Sequence, residues 1–325
     1  MSSPREAAIV AGGRTGIGHP DGPPSTPIAI EPGAAAIRAG FGQNPVRQSS
    51  IAAGIGRDVN APTLNKVYFS GLAAISDAAR LILVGDADVV LAGGHESMSQ
   101  ARHLLPGSRT GWTYANIISI DSVANEVPTD SFGGNPVGVR TERHNPAPGR
   151  TCLGQVEVAA ASDHRAAAAA GIAGDSSPLS DGAAALILAS RQYAQAHGNE
   201  VPSTIDASGS VAGQDNSLHS QPLHTIAASL DTRAWATTEL DFIEINEAFD
   251  AVACQPPKAR HCPLQKVSIR GGAIALRHPI GASGARPALS AVLELKRRGA
   301  ASGRSNRAAA DSAVRRCWAA RSRRW

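Results

Sequence analysis

The stretch Gly271-Gly272-Ala273-Ile274-Ala275-Leu276-Arg277-His278-Pro279-Ile280-Gly281-Ala282-Ser283-Gly284-Ala285-Arg286 constrains this chain more than any other. Glycines stand on both sides of its single histidine. Glycine serves where backbone must turn sharply or approach another group closely, so His278 is a base held at a point of close approach. Upstream, Asp241-Phe242-Ile243-Glu244-Ile245 reads as a buried strand that delivers Asn246-Glu247-Ala248-Phe249 at its end. In open α/β sheets ligands bind beyond the carboxyl ends of strands. Asn246 and His278 are therefore candidates for a single site.

The rest of the chain has the grammar of a layered α/β protein. Residues 7–11 read as a short buried strand and residues 12–18 as a glycine-rich turn, which lacks the GxGxxG spacing of a dinucleotide fingerprint. Residues 34–39 suit a helix. Residues 72–84 carry apolar side chains at helical spacing, and 87–92 is a β-branched run suited to a central strand. From 102 to 150 the periodicity weakens and Pro, Gly, Asn and Asp accumulate, which marks a long irregular excursion of functional or oligomer-forming type. Helical character returns at 163–170, a strand at 181–188 and a helix at 192–196. Pro287 is expected to interrupt a helix that resumes over 288–298.

With 325 residues the chain fills one large or two ordinary domains. Its 42% hydrophobic and 18% charged content fits a soluble globular protein, and its 4% aromatic share implies close packing through alanine and glycine. Neither 7–12 nor 81–94 is long and continuous enough for a signal peptide or a membrane span, so a cytoplasmic location with no membrane partner is expected. Cys152, Cys254, Cys262 and Cys317 show no CxxC pairing, which argues against a zinc site or a disulfide framework. The net charge of +4 comes from arginines after Leu295, at 297, 298, 304, 307, 315, 316, 321, 323 and 324. Without those nine arginines the chain has 22 Lys+Arg against 27 Asp+Glu and is slightly acidic, so no nucleic-acid partner is expected.

Forming or cleaving a carbon–carbon bond beside a thioester needs a nucleophile to carry the acyl group and a base for the α proton. It also needs donors aimed at each developing oxyanion. A thiolate suits the first role because it attacks and leaves well at neutral pH. Imidazole can hold the thiol proton, and a carboxamide can fix a water or donate directly to an oxyanion.

In these features the chain resembles the thiolase family, enzymes that make or cleave 3-ketoacyl-CoA. The resemblance runs in order through residues 8–18, 42–47, 63–71, 84–99, 177–190, 211–222, 240–249 and 271–286. It implies the thiolase fold within the α/β class: two similar layered α/β halves with mixed sheets, at 1–206 and 207–325. A loop excursion at about 102–177 would lie in the first half. By resemblance, His278 matches the histidine that activates the nucleophile and helps form an oxyanion hole. Asn246 matches the asparagine that positions a catalytic water, and Ser177 a serine that contacts the pantetheine part of CoA. Residues 65–71 match the nucleophile segment, which lends a backbone N–H to a second oxyanion hole. Acyl-CoA thioesters are implied as substrates, with no resident cofactor or metal and with a homodimer or homotetramer as the assembly.

Four departures accompany the resemblance. Tyr68 stands where the family has its nucleophilic cysteine; a phenol titrating near ~10 is a poor nucleophile, and its ring would fill acyl space. Arg277 replaces the glycine before the histidine. Segments the family carries are absent near 39–41, where a strand would be lost, and between 170 and 174. The family's closing Cys-x-Gly-Gly-Gly turn has no counterpart, and the tail after about 300 is arginine- and alanine-rich without amphipathic order. Read two bases later with GC-rich codons, that tail would give Arg-Gly-Gly-Gly-Gln-Arg-Gly-Ala-Ala-Val-Leu, close to the family's ending. Three readings follow: an acetyl-CoA C-acetyltransferase or 3-ketoacyl-CoA thiolase, impaired as written; a non-catalytic CoA-binding protein; and the product of a degraded or misread gene.

Overall fold

A computed structural model describes residues 5–18, 33–34, 42–127, 129, 134, 179–212, 221–247, 264–302, 307–311 and 317–321. In chain order the first half holds β1 (Ala7–Arg14), β2 (Gly33–Ala34), α1 (Pro45–Ala52), α2 (Ser70–Val84) and β3 (Val89–Ser97). It continues through the short β4 (His103–Leu104) and β5 (Ile120–Asp121), then α3 (Ser122–Glu126), β6 (Asp181–Ser190) and α4 (Arg191–Ala196). The second half holds β7 (Ser203–Gly209), α5 (Gln221–Asp231), β8 (Phe242–Ile245), α6 (Ala273–Leu276), α7 (Ala285–Ser302), β9 (Arg307–Asp311) and β10 (Cys317–Arg321).

Eight strands form one mixed sheet in the order β2-β3-β6-β1-β7-β10-β9-β8, while β4 and β5 pair separately. From its outer edge inward, the first half runs parallel at β2–β3, then antiparallel at β3–β6 and β6–β1. The second half repeats that pattern: parallel at β8–β9, then antiparallel at β9–β10 and β10–β7. The first strands of the two halves, β1 and β7, pair antiparallel through Ala7–Ile205, Ala8–Thr204 and Ile9–Ser203 and so join them. Helix α2 links β2 to β3 just as α7 links β8 to β9. The two similar halves expected of the chain are thus present as an internal repeat of strand order and crossover helix.

These equivalent helices make the core. Leu72, Ile75, Ala79 and Ile82 of α2 meet Ala285, Ala288, Leu289, Val292 and Leu295 of α7, together with Ile9, Leu186, Leu188 and Phe242 from the sheet. Each large aliphatic side chain buried there contributes about 1.5–3 kcal/mol. Helix α2 ends where Gly85, at φ 89°, turns its N–H back to the carbonyls of Leu81 and Ile82, a left-handed C-terminal cap that glycine adopts without steric cost. By length and composition alone Val67–Val84 could cross a membrane. Leu72, Ile75 and Ile82 are instead wholly buried in the protein core.

Several local expectations are revised. β1 continues through Arg14 instead of turning at Gly12, because a Cβ at Gly12 would lie 2.7 Å from Leu289 Cδ1: the glycine admits α7 against the strand. Pro287 does not break α7; it falls in the first turn, where a helix has no use for its missing N–H. Of the helix expected at 34–39, Gly33–Ala34 is strand β2 and 35–39 lies outside the described residues, as does the helix expected at 163–170. Within the excursion, residues 102–127 form β4, β5 and α3. Strand β7 runs continuously across the expected boundary at 206. The tail after about 300, whose sequence shows no amphipathic order, supplies β9 and β10 to the sheet. Alanine-rich segments have weak strand preference of their own, and here pairing on both sides supplies the backbone hydrogen bonds.

Candidate active site

The repeat brings two helix beginnings together. A Cβ on Gly71, at the start of α2, would lie 2.8 Å from the Ala285 nitrogen, and one on Gly284 would lie 2.4 Å from the Leu72 nitrogen. The first turns of α2 and α7 therefore meet backbone to backbone, and the segments entering them, Val67–Phe69 and 277–284, face one another. β3 supports the second segment: buried Glu96 accepts from the Gly281 N–H at 3.1 Å through Oε2. A Cβ on Gly94 would sit 1.9 Å from the Gly281 oxygen, so only glycine allows this approach. β8 ends at Ile245 and presents Asn246, which is fully buried.

Tyr68 lies in a one-turn 3-10 segment, Val67–Phe69, that leads into α2. Ser70 Oγ ties this turn, donating to the Val67 carbonyl at 2.6 Å and accepting from the Lys66 N–H at 2.8 Å. Val67 has φ 53°, a left-handed conformation that is a genuine outlier for a β-branched residue. The Tyr68 ring stacks on His278, with centroids 5.4 Å apart and planes 19° from parallel. Its hydroxyl donates to the Val127 carbonyl at 2.9 Å. Met98, Val123 and Ile280 are buried around it, with Val67, Ala101 and Val127 packed alongside. Burial pushes the phenol up to about 12, so it is protonated at neutral pH.

His278 is bound on one side and open to Asn246 on the other. Its Nδ1 makes a short contact with Ser283 Oγ, and that hydroxyl donates its single proton to the Pro279 carbonyl at 2.7 Å. Ser283 is therefore an acceptor toward the ring, which places the imidazole proton on Nδ1 and leaves a lone pair on Nε2. Asn246 Nδ2 lies 3.5 Å from both ring nitrogens. Burial, and after it the charge of Arg286, lowers the His278 pKa to about 3. The ring is thus neutral at physiological pH, a base and acceptor beside a carboxamide donor.

Beneath this pair lies a buried group of charges. Arg286, 1% exposed, points Nη2 at Asn246 Oδ1 across 3.5 Å. Among the described residues its Nε and Nη1 have no hydrogen-bond partner, and neither does either carboxylate oxygen of Glu244, itself 1% exposed. Burial raises Glu244 to about 8, against the attraction of Arg286. Burial likewise lowers Arg286, opposed by Glu244 and Glu247. A Cβ on Gly272 would fall 1.9 Å from the Glu247 carboxyl, so this glycine makes room for that side chain.

The structure thus brings together three of the four residues expected at the site: Tyr68, Asn246 and His278. Ser177 lies outside the described residues, as do Ala248 and Phe249. Arg277 sits at φ 76°, ψ 172°, in a region essentially reserved for glycine. The backbone at 277 has the shape a glycine would take, and arginine is made to adopt it. Sequence reasoning passed over Ser283, Arg286 and Glu96. The first two lie inside the glycine-rich motif, where their polarity among buried neighbours was the available signal. A separate concavity of about 420 Å³ lies over β1, β3 and β6, lined by residues such as Ala11, Gly13, Leu91 and Ala185, and no side chain of the three site residues reaches it.

Comparison with known proteins fits this geometry. The model of the thiolase N-terminal domain matches residues 33–172 and that of the thiolase C-terminal domain matches residues 200–313. A probable acetyl-CoA acetyltransferase of Mycolicibacterium smegmatis is 40% identical over 314 residues, covering 81% of each chain. One from Mycobacterium tuberculosis is 37% identical over 371 positions, covering 91% of this chain and 94% of the relative. That alignment is longer than the 325-residue chain, so the relative carries residues this chain lacks. Among solved structures, the Acat5 thiolase from Ascaris suum in complex with coenzyme A superposes with a TM-score of 0.84 at 24% identity, covering 98% of this chain and 100% of that one. The acetyl-CoA acetyltransferase of Bacillus anthracis does so with a TM-score of 0.86 at 24% identity, over 98% and 99%. With two matching halves, helix beginnings that converge on Tyr68 and His278, and relatives of this similarity, the chain belongs to the thiolase family.

Proposed function

We propose that this protein handles acyl-CoA thioesters as an acyltransferase of the acetyl-CoA C-acetyltransferase or 3-ketoacyl-CoA thiolase type, with its covalent transfer step impaired by Tyr68. The observation that carries the reading is the stack of Tyr68 on His278, with the Tyr68 hydroxyl tied to the Val127 carbonyl. In acyl transfer the nucleophile at this turn attacks the thioester carbonyl and the CoA thiolate leaves. A phenol raised to about 12 and committed to a carbonyl acceptor supplies no anion for that attack. Its ring also occupies the face of His278 on which an acyl group would lie.

The proposed roles of the remaining groups follow from their chemistry. His278 Nε2 accepts a proton, and Asn246 Nδ2 donates to a thioester oxygen or to a water. Ser177 is proposed for the pantetheine arm. Binding without turnover is the second reading, favoured by the same intact His278–Asn246 pair. The protein is further proposed to be a cytoplasmic homodimer or homotetramer. The support is a run of exposed apolar side chains on the excursion, Leu105, Trp112, Tyr114, Ile117 and Ile118, to be checked by light scattering.

The test pairs the parent chain with Tyr68→Cys. Each is titrated with CoA and acetyl-CoA by calorimetry, then incubated with acetyl-CoA and weighed by intact-mass spectrometry. The expected result is saturable binding by both and an acetyl adduct only on the cysteine variant. Thiolysis of acetoacetyl-CoA by the parent would show that the step is not impaired. No binding and no adduct in either chain would sink the thioester reading.

A further inference from the structure

We infer that Arg286 is a positioning residue: its guanidinium holds the side-chain oxygen of Asn246, so that the amide N–H group faces His278 and any substrate oxygen placed there. This rests on reading the His278–Asn246 pair as the site.

A carboxamide has two nearly isosteric ends of opposite polarity, and which one faces the ligand decides whether it attracts or repels a developing oxyanion. A guanidinium can only donate. Arg286 Nη2 lies 3.5 Å from Asn246 Oδ1, so the oxygen is fixed on the arginine side. Nδ2 is left 3.5 Å from the ring nitrogens of His278. Asn246 is fully buried and Arg286 is 1% exposed, so water does not compete for the amide. The arginine has its own supports. It grows from the first turn of α7, immediately after Ala285, whose nitrogen is in close contact with the start of α2. Glu244 and Glu247, on and just beyond β8, attract its charge. Arg286 therefore reads the relative placement of β8 and α7 and transmits it to the donor. Burial first, and after it the same charge, opposes protonation of His278, so the ring is neutral and able to face an N–H donor.

The experiment is NMR on the full-length chain with labelled histidine and asparagine side chains. In the parent, cross-relaxation is expected between the Asn246 amide protons and the His278 ring protons, and its absence would overturn the inference. In Arg286→Met, the Asn246 amide resonances are expected to move or broaden, and His278 to titrate about one unit higher. In Arg286→Lys, which keeps the charge without the planar fork, His278 is expected to stay neutral while the Asn246 resonances move. A folded methionine variant with both signals as in the parent refutes the assignment. Should that variant not fold, unchanged Asn246 resonances in the lysine variant refute it. These signals need no turnover. A protein that binds no thioester would defeat the functional reading and leave the placement of Asn246 by Arg286 to be judged on its own spectra.

Discussion

Tyr68 and His278 lie ring on ring, 5.4 Å between centroids, one from the entry to α2 and the other from the entry to α7. Each is fixed from its far side: the phenol by the Val127 carbonyl and the imidazole by Ser283. The stack is therefore a joint between the two halves of the molecule.

Tyr68→Phe keeps the stack and removes the bond to Val127. The half-buried Val127 carbonyl loses its donor, at a cost of about 1 kcal/mol. The urea midpoint should fall by the corresponding amount, and amide exchange should quicken over α3 and Val127. An unchanged midpoint with unchanged exchange would mean that the Val127 carbonyl finds an equally good partner in water.

Arg277→Gly should stabilise the fold. The positive φ at 277 costs a non-glycine residue about 1–3 kcal/mol, and Arg277 Nη1 is buried without a partner among the described residues. Glycine returns about 0.5–1 kcal/mol of that through its greater freedom when unfolded. The net expectation is a gain of about 1 kcal/mol in denaturant unfolding. A loss would show that packing of the arginine stem outweighs the backbone conformation.

Stability should fall toward both acid and alkaline pH, for two identifiable reasons. His278 titrates at about 3 folded against an ordinary 6.5, so the folded state binds fewer protons between those values and stability drops as pH falls through that window. Glu244 titrates at about 8 folded against an ordinary 4.5; the folded state holds an extra proton there, and stability drops as pH rises. The charges acting on Glu244 are Arg286, Glu247, Glu294 and Arg270, and Arg286 also acts on His278. Midpoints measured across pH should show His278→Gln flattening the acid limb and Glu244→Gln the alkaline one. Limbs that keep the parent slope in these variants would assign the effect to other groups.

How much of this was legible in the sequence differs by element. Helix α2 was plain over 72–84, because its apolar spacing matches a single buried face. β6 and β8 were legible as short runs of buried residues, Asn246 as a polar residue at the end of such a run, and His278 as a base between glycine-rich turns. The close contact of Gly71 with Ala285 was not, since it joins residues far apart in the chain through packing that no local pattern records. The strands at 307–311 and 317–321 gave no periodic signal, because alanine and arginine have no apolar alternation and their order comes from pairing partners. Arg286 read as the last residue of a motif. Its burial depends on Glu244 and Glu247 lying beneath it, which only the placement of β8 reveals.

The glycines at 71, 94 and 284 lie where backbone touches backbone, and there an added methyl group would have nowhere to go. Position 68 instead carries a large ring packed among side chains, Met98, Val123 and Ile280. Mutational drift is thus filtered unevenly: a change at those glycines is opposed by the architecture itself, while a change at position 68 meets no such backbone constraint. A chain of this design can fall silent as a catalyst and still fold as its ancestors did, and its shape is then a record of descent rather than of activity.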